Sequence, residues 1–176
     1  MNLTTGLLEK TEVVPALPQD MNFILLMATR DRLDTRNANY RDFLVAKAEG
    51  EIIGFGRLKK HGTFTEMGTF DVVPEYRSQG VGHKLMNHLL EKANDEVYLL
   101  TTIPEYAYRF GFRLLEKVPP FVEGQYDNCA KANYPNKVYV LLRKPAVACS
   151  MPEPRNKKEE ASASCCIIPD KNHTTV

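Results

Sequence analysis

The chain has 176 residues, of which 43% are hydrophobic and 26% charged, and 23 basic residues against 22 acidic ones leave a formal charge of +1. That is the composition of one globular domain, without the basic excess that drives nucleic-acid or membrane-surface binding. No apolar run approaches the roughly 18 residues of a membrane span, and Met1 to Lys10 lacks the basic start and long apolar core of a secretory signal.

Of the four cysteines, Cys149, Cys165 and Cys166 lie in a polar stretch and only Cys129 lies in the body. Without CxxC spacing they indicate neither a zinc site nor a disulfide framework, so a reduced, cytoplasmic setting is expected. His61, His83, His88 and His173 have no ligand spacing, and no metal is expected. From Pro145 the sequence turns rich in Pro, Ser, Ala, Lys and Glu. Residues 145–176 therefore read as a disordered tail, and residues 1–144 as the domain, its folded part starting near residue 10. The ending Thr174-Thr175-Val176 has the Thr-x-Val form that PDZ domains accept by strand addition.

Glu12 to Leu17, broken by Pro15, predicts an edge strand. A helix starting at Gln19-Asp20 runs to about Leu33, with Phe23, Leu26, Met27 and Arg30 at helical spacing. Asp34 to Asp42 is polar and reads as a loop or short helix. Phe43 to Ala48 and Ile52 to Leu58 form a hairpin around Glu49-Gly50-Glu51. Thr63 to Val73 is a further strand, stopped by Pro74. Gly80 opens a helix to about Ala93 that puts Val81, Leu85, Met86, Leu89 and Leu90 on one face. Glu96 to Thr101 reads as a buried strand and Pro104 to Gly111 as a short helix with a C-terminal glycine. Arg113 to Val118 and Lys137 to Leu142 are the last strands, separated by a polar segment over residues 123–135. The sum is an α/β (α+β) fold with a mixed, mostly antiparallel sheet of six to seven strands and flanking helices.

The chemistry concentrates in Arg77-Ser78-Gln79-Gly80-Val81-Gly82, which joins a strand to a helix. The first N–H groups of a helix have no intrahelical partner, and with the helix dipole they favour a bound anion such as a pyrophosphate. Gly80 and Gly82 allow close approach, and Arg77 supplies charge that can pair with phosphate oxygens. No Gly-Lys-Ser/Thr follows, so this is not a Walker A loop, and Leu85 stands where a dinucleotide fingerprint places its third glycine. The glycines alone also fit a tight turn with no ligand.

Arg77-x-x-Gly80-x-Gly82 after a Val-x-Pro strand end resembles the acetyl-CoA signature of the GCN5-related N-acetyltransferase (GNAT) superfamily. Phe43-Leu44-Val45-Ala46 followed by Ile53-Gly54-Phe55-Gly56 resembles that family's hairpin, and Tyr98 to Thr102 followed by Arg109-Phe110-Gly111-Phe112 resembles its later strand–helix unit. The likeness extends over roughly residues 12–144.

The resemblance implies an acetyl-CoA-dependent N-acetyltransferase in which the backbone of Asp71, Val72 and Val73 binds the pantetheine arm. Arg77, Ser78, Gln79, Gly80, Val81 and Gly82 would hold the pyrophosphate, with His83 as an added donor. Thr101 and Thr102 would end the second splayed strand near the thioester, although β-propensity and capping explain them equally. Glu66, eleven residues before Arg77, matches the base of histone-type members; strand alternation puts it on one face with Gly68, Phe70 and Val72. The family's acid, a tyrosine four residues before the glycine, is replaced by Ala107; Tyr106 and Tyr108 flank it, and Tyr108 on a shifted helix is a substitute. Leu100-Thr101-Thr102, Phe110-Gly111-Phe112, Val118-Pro119-Pro120 and Lys137-Val138-Tyr139-Val140 resemble the acetyltransferase domain of N-acetylglutamate synthases, which implies an amino acid or other small amine as acceptor. Arg57, Arg109 and Arg113 are candidates for pairing with an acceptor carboxylate. The competing readings are a protein lysine or N-terminal acetyltransferase, which an open acidic groove would favour, and a non-catalytic acyl-CoA sensor. A homodimer stays open.

Overall fold

The computed structural model describes residues 3–62, 64–133 and 135–145. The expected tail, with Cys149, Cys165, Cys166 and Thr174–Val176, lies outside them apart from Pro145. Helix α1 (Leu3–Lys10) leads into β1 (Thr11–Pro15), α2 (Met21–Arg30), β2 (Phe43–Ala48), β3 (Glu51–Lys60) and β4 (Thr65–Val72). There follow α3 (Val81–Lys92), β5 (Val97–Thr101), α4 (Pro104–Tyr108), β6 (Arg113–Leu114), α5 (Glu123–Asn133) and β7 (Tyr139–Arg143). The strands form one seven-stranded sheet in the order β1-β2-β3-β4-β5-β7-β6. Only β4 and β5 are parallel, joined by the α3 crossover. No helix among the described residues is long and apolar enough to cross a membrane.

The apolar stripe on α3 fixes one face of the sheet. Val81, Leu85 and Leu89 are fully buried, with Met86 and Leu90 close behind, and each contributes roughly 1.5–3 kcal/mol. Leu85, Met86, Leu89 and Leu90 pack with Leu44, Met67, Val97, Leu99 and α4's Ala107, and Val81 packs with Ala46, Ile53 and Val72. On the opposite face α2 covers the β1–β3 half of the sheet through Ile24, Met27 and Ala28, against Phe43, Val45 and Phe55. The stripe expected on α2 is corrected: Leu26 is 69% exposed, and Ile24 and Ala28 take its place. The β5–β7 half of that face is covered by Val122 and Tyr126 against Phe64, Tyr98 and Val140.

Two helices were not expected. α5 occupies the segment read as merely polar and buries none of its residues, so it carries no hydrophobic period to read. α1 is tied to α3 by Lys84, whose Nζ donates to the carbonyls of Leu8 at 3.0 Å and Thr11 at 2.6 Å. The β2–β3 turn places Glu49 (φ 52°) and Gly50 (φ 88°) in the left-handed region, the pattern of a two-residue hairpin whose twist matches its strands.

Candidate active site

Two departures from a regular sheet create the site. The first is in β4. Its register against β3 steps from Phe55–Asp71 to Arg57–Gly68, so Thr69 and Phe70 together face Gly56, and Thr69 takes up the extra residue with φ 44°. A bulge reverses which side chains share a face. Met67 and Phe70 both pack toward α3, whereas Thr69 Oγ1 donates to the Asp34 carbonyl at 2.6 Å on the α2 side. Glu66, adjacent to Met67, therefore points to the α2 side with Thr69 and Asp71, and the expectation that it shares a face with Phe70 and Val72 is corrected. The second departure is that β4 and β5 pair only at Thr65–Val97, Glu66–Tyr98 and Met67–Leu99. Beyond Met67 the two strands part.

A cavity of about 210 Å³ passes through this parting. On the α3 side its wall includes Phe70, Met86, Ile103, Tyr106 and Ala107. On the α2 side Arg32, Asp34, Arg57, Lys59 and Glu66 line it, and α5 closes across it with Gln125, Cys129 and Asn133. Thr101 and Thr102 lie in the wall, and Thr101 Oγ1 accepts the Ile103 N–H at 3.1 Å, so Thr101 also caps the strand end.

Glu66 Oε2 lies 2.7 Å from His61 Nε2. The tyrosine assignment is corrected: Tyr106, not Tyr108, lies in the cavity wall, and Tyr108 is 44% exposed on the outer surface of α4. The Tyr106 ring packs against Phe110 and Phe70, with centroids 5.3 and 6.3 Å away. Its hydroxyl lies 2.9 Å from where a Cβ on Gly82 would stand, which links the cavity to the start of α3. Burial raises the Tyr106 pKa above the usual phenol value, so it keeps its proton at neutral pH. Burial likewise raises the Cys129 thiol, with Asp34 and Glu66 adding to the effect; that disfavours the thiolate a nucleophile needs.

The glycine loop has the form an anion site requires. Ser78 (φ 60°) and Gly80 (φ 87°) are left-handed, and Gly80 precedes α3 without any side-chain cap. The first intrahelical bond is from Lys84 to Gly80, leaving the N–H groups of Val81, Gly82 and His83 unpaired within the helix. His83 packs its ring 4.9 Å from Phe110, and Gln79 is turned back to the Glu75 carbonyl at 2.7 Å.

The Arg77 side chain is half exposed, but two of its guanidinium nitrogens are engaged within the protein. Its Nε donates to the Val72 carbonyl at 2.7 Å, and its Nη2 to Asp71 at 3.0 Å and Asp31 at 3.2 Å. Arg77 thus clamps the end of β4 to the end of α2, and its phosphate-pairing role is corrected to that extent. The Arg30 guanidinium beside Asp31, and a shared hydrogen bond with Asp71, hold Asp31 down at about 2. Burial, then Asp31 itself, raises Asp71. The backbone expectation narrows too: Val73 N–H donates to Ile53 O at 2.9 Å. Val72, opposite Gly54, turns its N–H and carbonyl away from β3, where the Asp71 carboxylate and Arg77 meet them.

Sequence reasoning missed His61 as a partner of Glu66, and a five-residue offset gave it a signal only once a turn was assumed. Of the arginines considered for an acceptor carboxylate, Arg57 alone lines the cavity. Its guanidinium donates to the carbonyls of Arg36 (3.1 Å) and Asn37 (2.6 Å) and to Asp42 (3.2 Å), and its buried Nε has no partner among the described residues. No group of three metal-ligating side chains occurs among the described residues.

The Acetyltransferase (GNAT) family is matched over residues 11–112. Among curated proteins none matches. The fold is similar to that of N-acetylglutamate synthase from Neisseria gonorrhoeae complexed with coenzyme A and N-acetyl-glutamate, at 17% identity and a TM-score of 0.63; the match covers 76% of this chain and 35% of the synthase chain. This chain thus spans about a third of that protein's length. Rv2747 from Mycobacterium tuberculosis in complex with CoA and NLQ is similar at 22% identity and a TM-score of 0.63, over 77% of this chain and 99% of that one. Arabidopsis thaliana Naa50 in complex with a bisubstrate analogue, CoA-Ac-MVNAL, is similar at 19% identity and a TM-score of 0.57, over 77% and 99%. With the glycine loop, the parted strands and the family match over the same residues, the chain belongs to the GNAT acetyltransferase family.

Proposed function

We propose that the chain transfers the acetyl group of acetyl-CoA to the primary amine of a small acceptor that also carries a carboxylate, an amino acid or a close relative. The observation that carries this reading is the cavity through the parted strands, with Glu66 in its wall on one side and Tyr106 on the other. Pantetheine would enter from the α3 side, its pyrophosphate on the N–H groups of Val81 to His83. The acceptor would enter between α2 and α5. The cations Arg32, Arg57 and Lys59 outnumber Asp34 and Glu66 in that wall, which suits an acceptor carboxylate. The closure by α5 and the buried Arg57 favour a small acid over a peptide in an open acidic groove.

At neutral pH the acceptor amine arrives as an ammonium, with a reference pKa of about 8 to 10. Glu66 takes one proton, and the freed nitrogen attacks the thioester carbon. The N–C bond forms and the C–S bond breaks. The departing sulfur takes a proton from Tyr106, which recovers one from the nitrogen through solvent. The products are the N-acetylated acceptor and CoA, and Glu66 returns its proton to solvent. Because a thiolate is a tolerable leaving group, Tyr106 contributes less than Glu66.

The test is CoA release with a panel of amino acids, other small amines and lysine- or N-terminus-bearing peptides. Amino acids should turn over best, and Glu66→Gln should lower kcat by about 10²–10⁴. Peptide turnover with inert amino acids would move the acceptor to proteins. Tight acetyl-CoA binding without turnover of any amine would make the chain a sensor.

A further inference from the structure

We propose that His61 is the positioning residue that aims Glu66 at the acceptor amine, an inference that rests on Glu66 being the base. His61 stands at the turn between β3 and β4, where its backbone N–H donates to the Phe64 carbonyl at 2.9 Å. That turn lays its imidazole flat on the Phe64 ring, 4.8 Å between centroids at 7°. Phe64 is itself boxed by Tyr98 at 5.4 Å and Phe121 at 4.9 Å. The imidazole is therefore fixed before any substrate binds, and it holds Nε2 at 2.7 Å from Glu66 Oε2. Both side chains are only 17% exposed.

The other carboxylate oxygen has a different outlook. Glu66 Oε1 lies 3.9 Å from where a Cβ on Gly68 would stand, and Gly68 is the first residue of β4 beyond its last pairing with β5. Oε1 thus faces the parting through which the cavity runs. A glutamate on a strand otherwise turns broadly about its last torsion. With Nε2–H donating to Oε2, that freedom is removed and Oε1 is presented to the nitrogen that must lose a proton, which is preorganisation of the base. Lys59, paired with Glu66 in the β3–β4 register, makes no ion pair with it among the described residues. His61 is the carboxylate's one hydrogen-bond partner there.

The experiment uses the full chain with acetyl-CoA and its best amine. His61→Leu keeps an apolar side chain on Phe64 and removes the donor; kcat should fall about tenfold, the effect of one lost hydrogen bond, with the KM for acetyl-CoA unchanged. His61→Gln restores a donor and should recover much of the loss. Independently of activity, the imidazole ¹⁵N spectrum at fixed pH should show the Nε2-protonated tautomer in the wild type and a tautomer mixture in Glu66→Ala. Wild-type kcat in His61→Leu beside a crippled Glu66→Gln would overturn the positioning role, as would equal losses in His61→Leu and His61→Gln. A spectrum unchanged in Glu66→Ala would overturn the hydrogen bond itself. Wild-type kcat in Glu66→Gln would instead remove Glu66 as base, and the role of His61 with it.

Discussion

Gly82 and Tyr106 should be energetically coupled, and the structure sets the size of the coupling. Gly82 lies in the first turn of α3 with ordinary helical dihedrals, so Gly82→Ala gains about 1 kcal/mol of helix propensity. The new Cβ would stand 2.9 Å from the Tyr106 hydroxyl and 3.5 Å from Val72 Cγ2. The second contact is ordinary; the first is too short by roughly half an ångström and forces the ring to shift against Phe70 and Phe110. Overpacking of that kind costs about 1–3 kcal/mol, so Gly82→Ala alone should be neutral to mildly destabilising. In a Tyr106→Phe background the hydroxyl is gone and the same substitution should be stabilising by about 1 kcal/mol. Thermal unfolding of the wild type, both single variants and the double variant closes the cycle, with an expected coupling of about 1–3 kcal/mol, the overpacking cost itself. Additivity within about 0.5 kcal/mol would refute the position assigned to the Tyr106 hydroxyl, and with it the link between the cavity and the glycine loop.

Gly56→Ala should destabilise by about 1–3 kcal/mol, read from urea unfolding, because its Cβ would stand 2.5 Å from Leu89 Cδ1 and 2.9 Å from Phe70 Cδ2. Asp31, held at about 2 against an ordinary 3.8, contributes stability that is complete above pH 3.8 and lost as pH falls through about 2. Wild-type Tm should therefore drop more steeply over that window than the Tm of Asp31→Asn, by an amount worth under about 1 kcal/mol for so accessible a group. Cys129→Ser should keep wild-type kcat to within about threefold, since a thiol with a raised pKa makes a poor nucleophile; loss of activity with a trapped acetyl-enzyme would contradict direct transfer.

The parts of the fold legible in the sequence are those where one physical signal dominates. The α3 stripe from Val81 to Leu90 is buried as its period implies, and Gly50, Gly80 and Gly111 occupy left-handed turns where elements end. The orientation of Glu66 was not legible, because simple alternation fails at Thr69, and Gly68, though a glycine inside a strand hints at a bulge, does not say which residue is the extra one before the register with β3 is known. α5 was hidden for the opposite reason: a helix with no fully buried residue carries no clear hydrophobic period. Arg77 looked like a phosphate ligand because its carboxylate partners, Asp31 and Asp71, come from an element far off in sequence and one on the far side of a turn. Tyr106 and Tyr108 are two residues apart, and only the packing of α4 on Phe110 decides which of them enters the cavity.

A crystal structure with CoA bound tests the central claim most directly. The pyrophosphate should lie on the N–H groups of Val81, Gly82 and His83, and the sulfur in the parting beyond Met67 and Leu99, between Glu66 and Tyr106. A sulfur outside that parting, or a pyrophosphate held away from the start of α3, would contradict it.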